Sequence, residues 1–182
     1  MVDASGARQS PTLAPSPILR QLPAASRHVL RGGQQVMSAA AHALGLPRSE
    51  TACRAVQNDE LAALWLGPDE RLLIGPADGA RKTAELLQQA LAELTHSLVE
   101  VSHALAAFEV GGPRATEALN AGCPLDLDIA SFPLDMCTRT VFSKAQILLW
   151  RTGPEVFHVE TARSFAPYVT KILALAARER MS

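Results

Sequence analysis

Short apolar segments joined by tight turns mark the first half of this chain, and they restrict it to a fold built around antiparallel strands. Residues 52–57 and 61–66 have the length and composition of strands, and the polar pair Asn58-Asp59 separates them. The next reversal, at 67–70, has a proline where a type I turn needs a preset φ, and residues 71–74 return as a strand. The pattern predicts a β-meander.

Helical periodicity follows the meander. Ala84, Leu87, Leu91 and Leu94 fall on one side of a helix and form an apolar stripe that can cover a sheet. The second half repeats this order, with further strand-like segments before a C-terminal helix. The predicted fold class is therefore α+β, with two packed α/β halves whose mainly antiparallel sheets are covered by helices. We place the halves at about 23–96 and 97–182.

The N-terminal segment differs in composition from the rest of the chain. Residues 1–22 are rich in Ser, Ala and Pro, with too little apolar surface to offset the entropy lost on ordering. We therefore expect a flexible tail over 1–22 and a single domain over 23–182. The tail is either a segment that orders on a partner or a ragged end without a role, and the second interpretation is favoured.

Charge and cysteine content indicate the class of partner and the compartment. The 17 Lys and Arg residues against 18 Asp and Glu give a net charge of −1, so no net positive field attracts nucleic acid or a membrane surface. No apolar run is long enough to span a bilayer. Three widely spaced cysteines, Cys53, Cys123 and Cys137, suit neither a disulfide framework nor a CxxC motif. Because a secretory signal pattern is also missing, we expect a cytoplasmic protein.

The common motifs of an independent enzyme do not occur. The segment GPADGARKT at 75–83 has the context of a phosphate-binding loop, but two residues separate Gly79 from Lys82, whereas a P-loop needs glycine and lysine adjacent. The five histidines show no HExxH or other paired ligand spacing, and neither GxSxG nor GxGxxG is found. We therefore expect no catalytic residue, no bound cofactor and no metal site in this chain.

One polar cluster, Glu100, Ser102 and His103, has residue types that can bind or polarise a small ligand. On a strand, alternation places Glu100 and Ser102 on one face and His103 on the other. That geometry argues against a catalytic triad. The favoured interpretation is a polar strand end whose side chains are satisfied by neighbouring backbone.

Several weak motifs, taken in order, resemble the gamma subunits of bacterial heterotetrameric sarcosine oxidase. Two long ones are ALWLGPDERLL at 63–73 and GCPLDLD at 122–128. Shorter matching segments lie at 100–103, 112–114, 132–133, 137–140, 144–146 and 162–165. Together they extend over about 22–179, and their order and spacing make the resemblance specific.

The resemblance implies a fold similar to part of the folate-binding aminomethyltransferase of the glycine cleavage system, reduced to an accessory subunit. It implies alpha, beta and delta partner subunits, with FAD, FMN, NAD and tetrahydrofolate bound by partners and a small zinc-binding delta subunit. Such a complex oxidatively demethylates sarcosine to glycine, transfers the one-carbon unit to tetrahydrofolate and reduces oxygen to peroxide. This chain is then expected to stabilise the flavin-bearing subunits without catalysing a step.

Two other functions stay open at this point. One is an autonomous folate-binding aminomethyltransferase-like protein, for which Glu100 is the candidate carboxylate. The other is an accessory subunit of another amine or amino-acid oxidoreductase. For the accessory functions, aromatic and arginine side chains are the expected interface anchors, because these types are enriched at interface centres. The candidates are Trp65, Arg139, Trp150 and Arg163.

Overall fold

The computed structural model of the chain describes residues 18–49 and 51–179. In chain order its strands are β1 (Ile18–Gln21), β2 (Ala25–Gly32), β3 (Ala55–Gln57), β4 (Ala62–Gly67), β5 (Glu70–Pro76), β6 (His96–Glu100), β7 (Leu105–Gly111), β8 (Cys137–Phe142), β9 (Ala145–Gly153) and β10 (Val156–Ala162). Its α-helices are α1 (Gln34–Ala43), α2 (Ala80–Ala90), α3 (Ala115–Asn120) and α4 (Ala166–Glu179), and 3-10 turns at Ala77–Gly79 and Arg163–Phe165 precede α2 and α4. None of these described helices is long and apolar enough to cross a membrane.

Two five-stranded antiparallel sheets pack face to face, and each carries two helices on its outer face. The N-terminal sheet has the order β3-β4-β5-β2-β6 and is covered by α1 and α2. The C-terminal sheet has the order β1-β7-β10-β9-β8 and is covered by α3 and α4. This four-layer arrangement confirms the predicted α+β class and its two antiparallel halves.

Three apolar clusters hold the layers together. Strand and helix side chains meet on the outer face of each sheet, at Leu30, Leu73, Leu87 and Leu91 in the N-terminal half and at Phe108, Leu149, Phe157 and Val169 in the C-terminal half. A third cluster lies between the two sheets and includes Leu64, Leu72, Cys137, Leu148 and Trp150. Since full burial of one such side chain contributes about 1.5–3 kcal/mol, these clusters supply most of the folding free energy.

The predicted meander corresponds to β3, β4 and β5, which pair in sequence order. The first strand is shorter than the sequence pattern indicates. Cys53 has φ 56°, in the left-handed region, and this conformation prevents the extended segment from beginning at residue 52. The helical stripe is confirmed, because Leu87 and Leu91 are fully buried under α2.

The two halves exchange strands at their edges. β1 comes from the N-terminal end of the chain but pairs with β7 of the C-terminal sheet, from Ile18 opposite Gly111 to Gln21 opposite Phe108. β6 pairs with β2 of the N-terminal sheet, from Gly32 opposite His96 to His28 opposite Glu100. The end of the predicted 1–22 tail is therefore a strand, and residues 1–17 lie outside the described part.

Candidate functional site

The structure brings two members of the predicted polar cluster together and separates the third. Ser102 Oγ accepts a hydrogen bond from the backbone N–H of Arg27 at 2.9 Å and donates one to Glu100 Oε1 at 2.9 Å. His103 is exposed, and its backbone carbonyl accepts a hydrogen bond from Nε of Arg163 at 2.9 Å. Ser102 thus fixes the segment after β6 to β2, and residues 102–104 form a turn where the sequence analysis placed a strand end.

A buried ion pair that the sequence analysis missed lies beside this strand end. Arg27 Nε on β2 is 2.8 Å and 2.9 Å from the two carboxylate oxygens of Glu160 on β10. Their side chains are only 4% and 1% exposed. His158 Nε2 is 2.8 Å from Glu160 Oε1, and Arg27 Nη1 donates to the carbonyl of Ala25 at 3.0 Å. The pair joins the two sheets through the interior.

A second charged cluster bridges the sheets nearer the surface. The guanidinium of Arg139 on β8 donates to both oxygens of Glu70 on β5, with Nη2–Oε1 at 2.5 Å and Nη1–Oε2 at 3.2 Å. Arg31 Nη2 lies 3.3 Å from the same carboxylate. The hydrogen bonds from Arg139, followed by the charges of both arginines, hold the pKa of Glu70 below its usual range despite partial burial. Glu70 therefore remains ionised and paired.

The four predicted interface anchors occupy different environments. Trp65 is half-buried, with the Arg71 guanidinium 5.9 Å from its ring centroid. Trp150 is 6% exposed in the cluster between the sheets, so little of its ring is available to a partner. Arg139 forms an ion pair with Glu70, and 53% of its side chain is exposed. Arg163 is exposed at the start of the turn before α4. Their role as anchors stays a prediction.

Cys137 is fully buried between the sheets, where its Sγ donates to the carbonyl of Trp65 at 3.6 Å. Burial raises the pKa of this thiol to about 12. A neutral buried thiol is a poor nucleophile, since the thiolate is the reactive form. Cys137 is therefore a packing residue of the sheet interface.

The raised pKa of Cys137 predicts a loss of stability at high pH. In the unfolded chain the thiol ionises near its ordinary value of 9.0, whereas the folded protein keeps it neutral up to about 12. Its contribution is thus fully present below pH 9 and decreases as the pH rises toward 12. We expect the free energy of unfolding by urea to fall more steeply in the wild type than in Cys137→Ala between about pH 8 and pH 10.5. Equal slopes would contradict this assignment.

A cleft of about 710 Å³ opens between the two sheets beside the β8–β9 hairpin. Its wall includes apolar residues of both sheets, together with Arg139, Lys144 and the buried Glu160. In the described ranges, no three His, Cys, Asp or Glu side chains lie close enough to hold a metal ion.

Comparison with known proteins agrees with this architecture. A family model described as the sarcosine oxidase, gamma subunit family matches residues 32–179. The sarcosine oxidase subunit gamma of Corynebacterium sp. (strain P-1) is 35% identical over 118 residues, which cover 65% of this chain and 57% of that relative. The chain thus spans a little over half of the relative's length.

Two solved structures resemble the fold. A chain of the heterotetrameric sarcosine oxidase from Corynebacterium sp. U-96, solved in complex with pyrrole 2-carboxylate, superposes with a TM-score of 0.83 at 27% identity, covering 90% of this chain and 84% of that one. The glycine cleavage system aminomethyltransferase T from Bartonella henselae superposes at 0.67 and 14% identity, covering 90% and 49%, which is a likeness of fold alone. The four-layer fold and the match over residues 32–179 lead to one conclusion: the chain belongs to the sarcosine oxidase gamma subunit family.

Proposed function

We propose that this chain is the non-catalytic gamma subunit of a cytoplasmic heterotetrameric sarcosine oxidase. It binds alpha, beta and delta subunits and stabilises the flavin-bearing ones while they demethylate sarcosine to glycine. The observation that supports this most is the superposition on a chain of the heterotetrameric enzyme, with a TM-score of 0.83 over 90% of the residues. In this proposal FAD, FMN, NAD and tetrahydrofolate belong to the partner subunits.

The internal polar contacts support a structural role. Among the described residues, several side chains that could bind a ligand have partners within the chain: Glu160 pairs with Arg27, Glu70 pairs with Arg139, and the hydroxyl of Ser102 joins Glu100 to β2. The two ion pairs fix the two sheets relative to each other. A rigid pair of sheets offers a partner a preorganised surface, which lowers the entropic cost of association.

Co-expression of the four subunits, with and without this chain, tests the proposal. We expect the full set to give a flavin-containing complex that produces peroxide when sarcosine is added. Omission of this chain is expected to lower the recovered complex about tenfold, because an obligate subunit interface is lost. Equal recovery and equal activity without the chain would contradict the accessory role.

The isolated chain provides a complementary test. Under this proposal it binds no tetrahydrofolate on its own. Tetrahydrofolate binding that is abolished by Glu100→Ala would instead favour an autonomous folate-binding aminomethyltransferase-like protein.

A further inference from the structure

The inner face of the C-terminal sheet is uncovered toward the end of the β8–β9 hairpin. Arg139 and Val141 lie on the same face of β8 as Cys137, which is buried against the N-terminal sheet. Val141 is nevertheless 40% exposed, and Phe165 at the cleft rim is 44% exposed. The cleft beneath them is apolar, with a wall that includes Val29, Leu72, Leu105 and Leu148. Exposed apolar groups gathered at a cleft indicate an interaction site.

The adjoining edge of β8 also has free backbone groups. The N–H of Cys137 donates to the Cys53 carbonyl at 3.0 Å, and that of Ser143 donates to the Gly122 carbonyl at 2.7 Å, both away from β9. Along an antiparallel strand, successive N–H groups point alternately to the two sides of the strand. The N–H groups of Arg139 and Val141 therefore also point away from β9. Neither has a hydrogen-bond acceptor among the residues that the structure describes. An edge of this kind accepts a further extended segment.

The charges around the cleft indicate what such a segment carries. Lys144 is exposed, and within 18–49 and 51–179 it forms no ion pair. Arg139 is paired with Glu70 but remains 53% exposed. The carboxylate that lines the cleft, Glu160, is 1% exposed and already neutralised by Arg27. The accessible rim is therefore cationic, and its complement is an acidic group.

The geometry points to this cleft as the docking site for a short extended segment of a partner subunit, with an apolar side chain inserted between the sheets and a carboxylate facing Lys144. The segment pairs with the open edge of β8 at Arg139 and Val141. This inference rests on the proposed function, since the segment belongs to one of the other subunits of the oxidase. The cleft has a volume of about 710 Å³, which lies in the range of ordinary ligand-binding pockets. It therefore accommodates one or two large side chains.

Two matched pairs of variants test the assignment in the co-expressed complex. Val141→Asp places a charge in the cleft, whereas Leu86→Asp places one at a leucine of α2 that is 38% exposed on the outer side of the N-terminal sheet. Lys144→Glu reverses the rim charge, whereas Lys82→Glu reverses a cation on α2 whose side chain is 74% exposed. We expect Val141→Asp to lower the partner subunits recovered per tagged chain about tenfold and Lys144→Glu about threefold, with the controls unchanged.

A direct readout uses a photo-reactive benzoylphenylalanine in place of Phe165, which preserves an aromatic ring at the rim. Irradiation of the assembled complex is expected to join this position to an Asp- or Glu-containing segment of a partner subunit. A cross-link only to a second copy of this chain would overturn the inference, as would full assembly of both Val141→Asp and Lys144→Glu. A wild-type chain that recovers no partner would instead overturn the proposed function itself.

Discussion

Replacing Glu160 with alanine is expected to lower the free energy of unfolding by about 3–5 kcal/mol, because it leaves a charged guanidinium in the interior without its carboxylate. Arg27 is 3% exposed, so its guanidinium is largely out of contact with solvent in the folded chain. Urea unfolding of the purified chain, followed by circular dichroism, measures the change.

The matched control for this variant is Glu109→Ala. Glu109 also pairs with an arginine on a neighbouring strand, Arg20, at 3.0 Å, but the two side chains are 33% and 60% exposed. We expect its loss to cost about 0–1 kcal/mol, as for other exposed ion pairs. The double change Arg27→Met with Glu160→Leu is expected to recover most of the lost stability, because apolar side chains replace both charges. A Glu160→Ala chain as stable as Glu109→Ala would contradict the structural role of the pair.

The second large effect is expected at Arg151, whose side chain is almost fully buried and is hydrogen-bonded to backbone carbonyls. Nη2 donates to the carbonyl of Leu127, Nη1 donates to that of Pro154, and the guanidinium lies 4.4 Å from the ring centroid of Phe157. Arg151→Met keeps the apolar stem and removes both donors. Since a hydrogen bond to a charged group contributes about 1.5–3 kcal/mol, we expect a loss of about 3 kcal/mol in the free energy of unfolding.

Arg163→Met is the corresponding control, because Arg163 also donates to a backbone carbonyl but is exposed. Its replacement is expected to change stability by less than about 1 kcal/mol. Hydrogen exchange adds a local readout, because the segment around Leu127 is held to β9 by Arg151. Faster exchange of that segment in Arg151→Met, with the other sheet unaffected, is the expected result. Unchanged stability and unchanged exchange would show that the segment is held by its apolar contacts alone.

Local patterns predicted the elements well because the information lies within a few residues. The stripe containing Leu87 and Leu91 identified α2, and the turn after Gly67 identified the β4–β5 hairpin. Each of these predictions depends on spacing along a single helix or strand.

The edge strands and the buried charges could not be predicted in the same way. β1 pairs with a strand about ninety residues later, and Arg27 is separated from Glu160 by 133 positions. Alone, each charged residue has the pattern of a solvated side chain, since charges are seldom buried unless they are paired. Arg139 was selected as an arginine suited to an interface, and its contact with Glu70 across 69 positions became visible only in the folded chain.

The central claim, that this chain works as a subunit of a larger flavoenzyme, is tested most directly by affinity purification from its native host. The eluate is analysed by mass spectrometry and scanned for flavin absorbance. We expect a yellow complex that contains this chain and three different partner chains. Recovery of the folded chain alone and colourless would contradict the account.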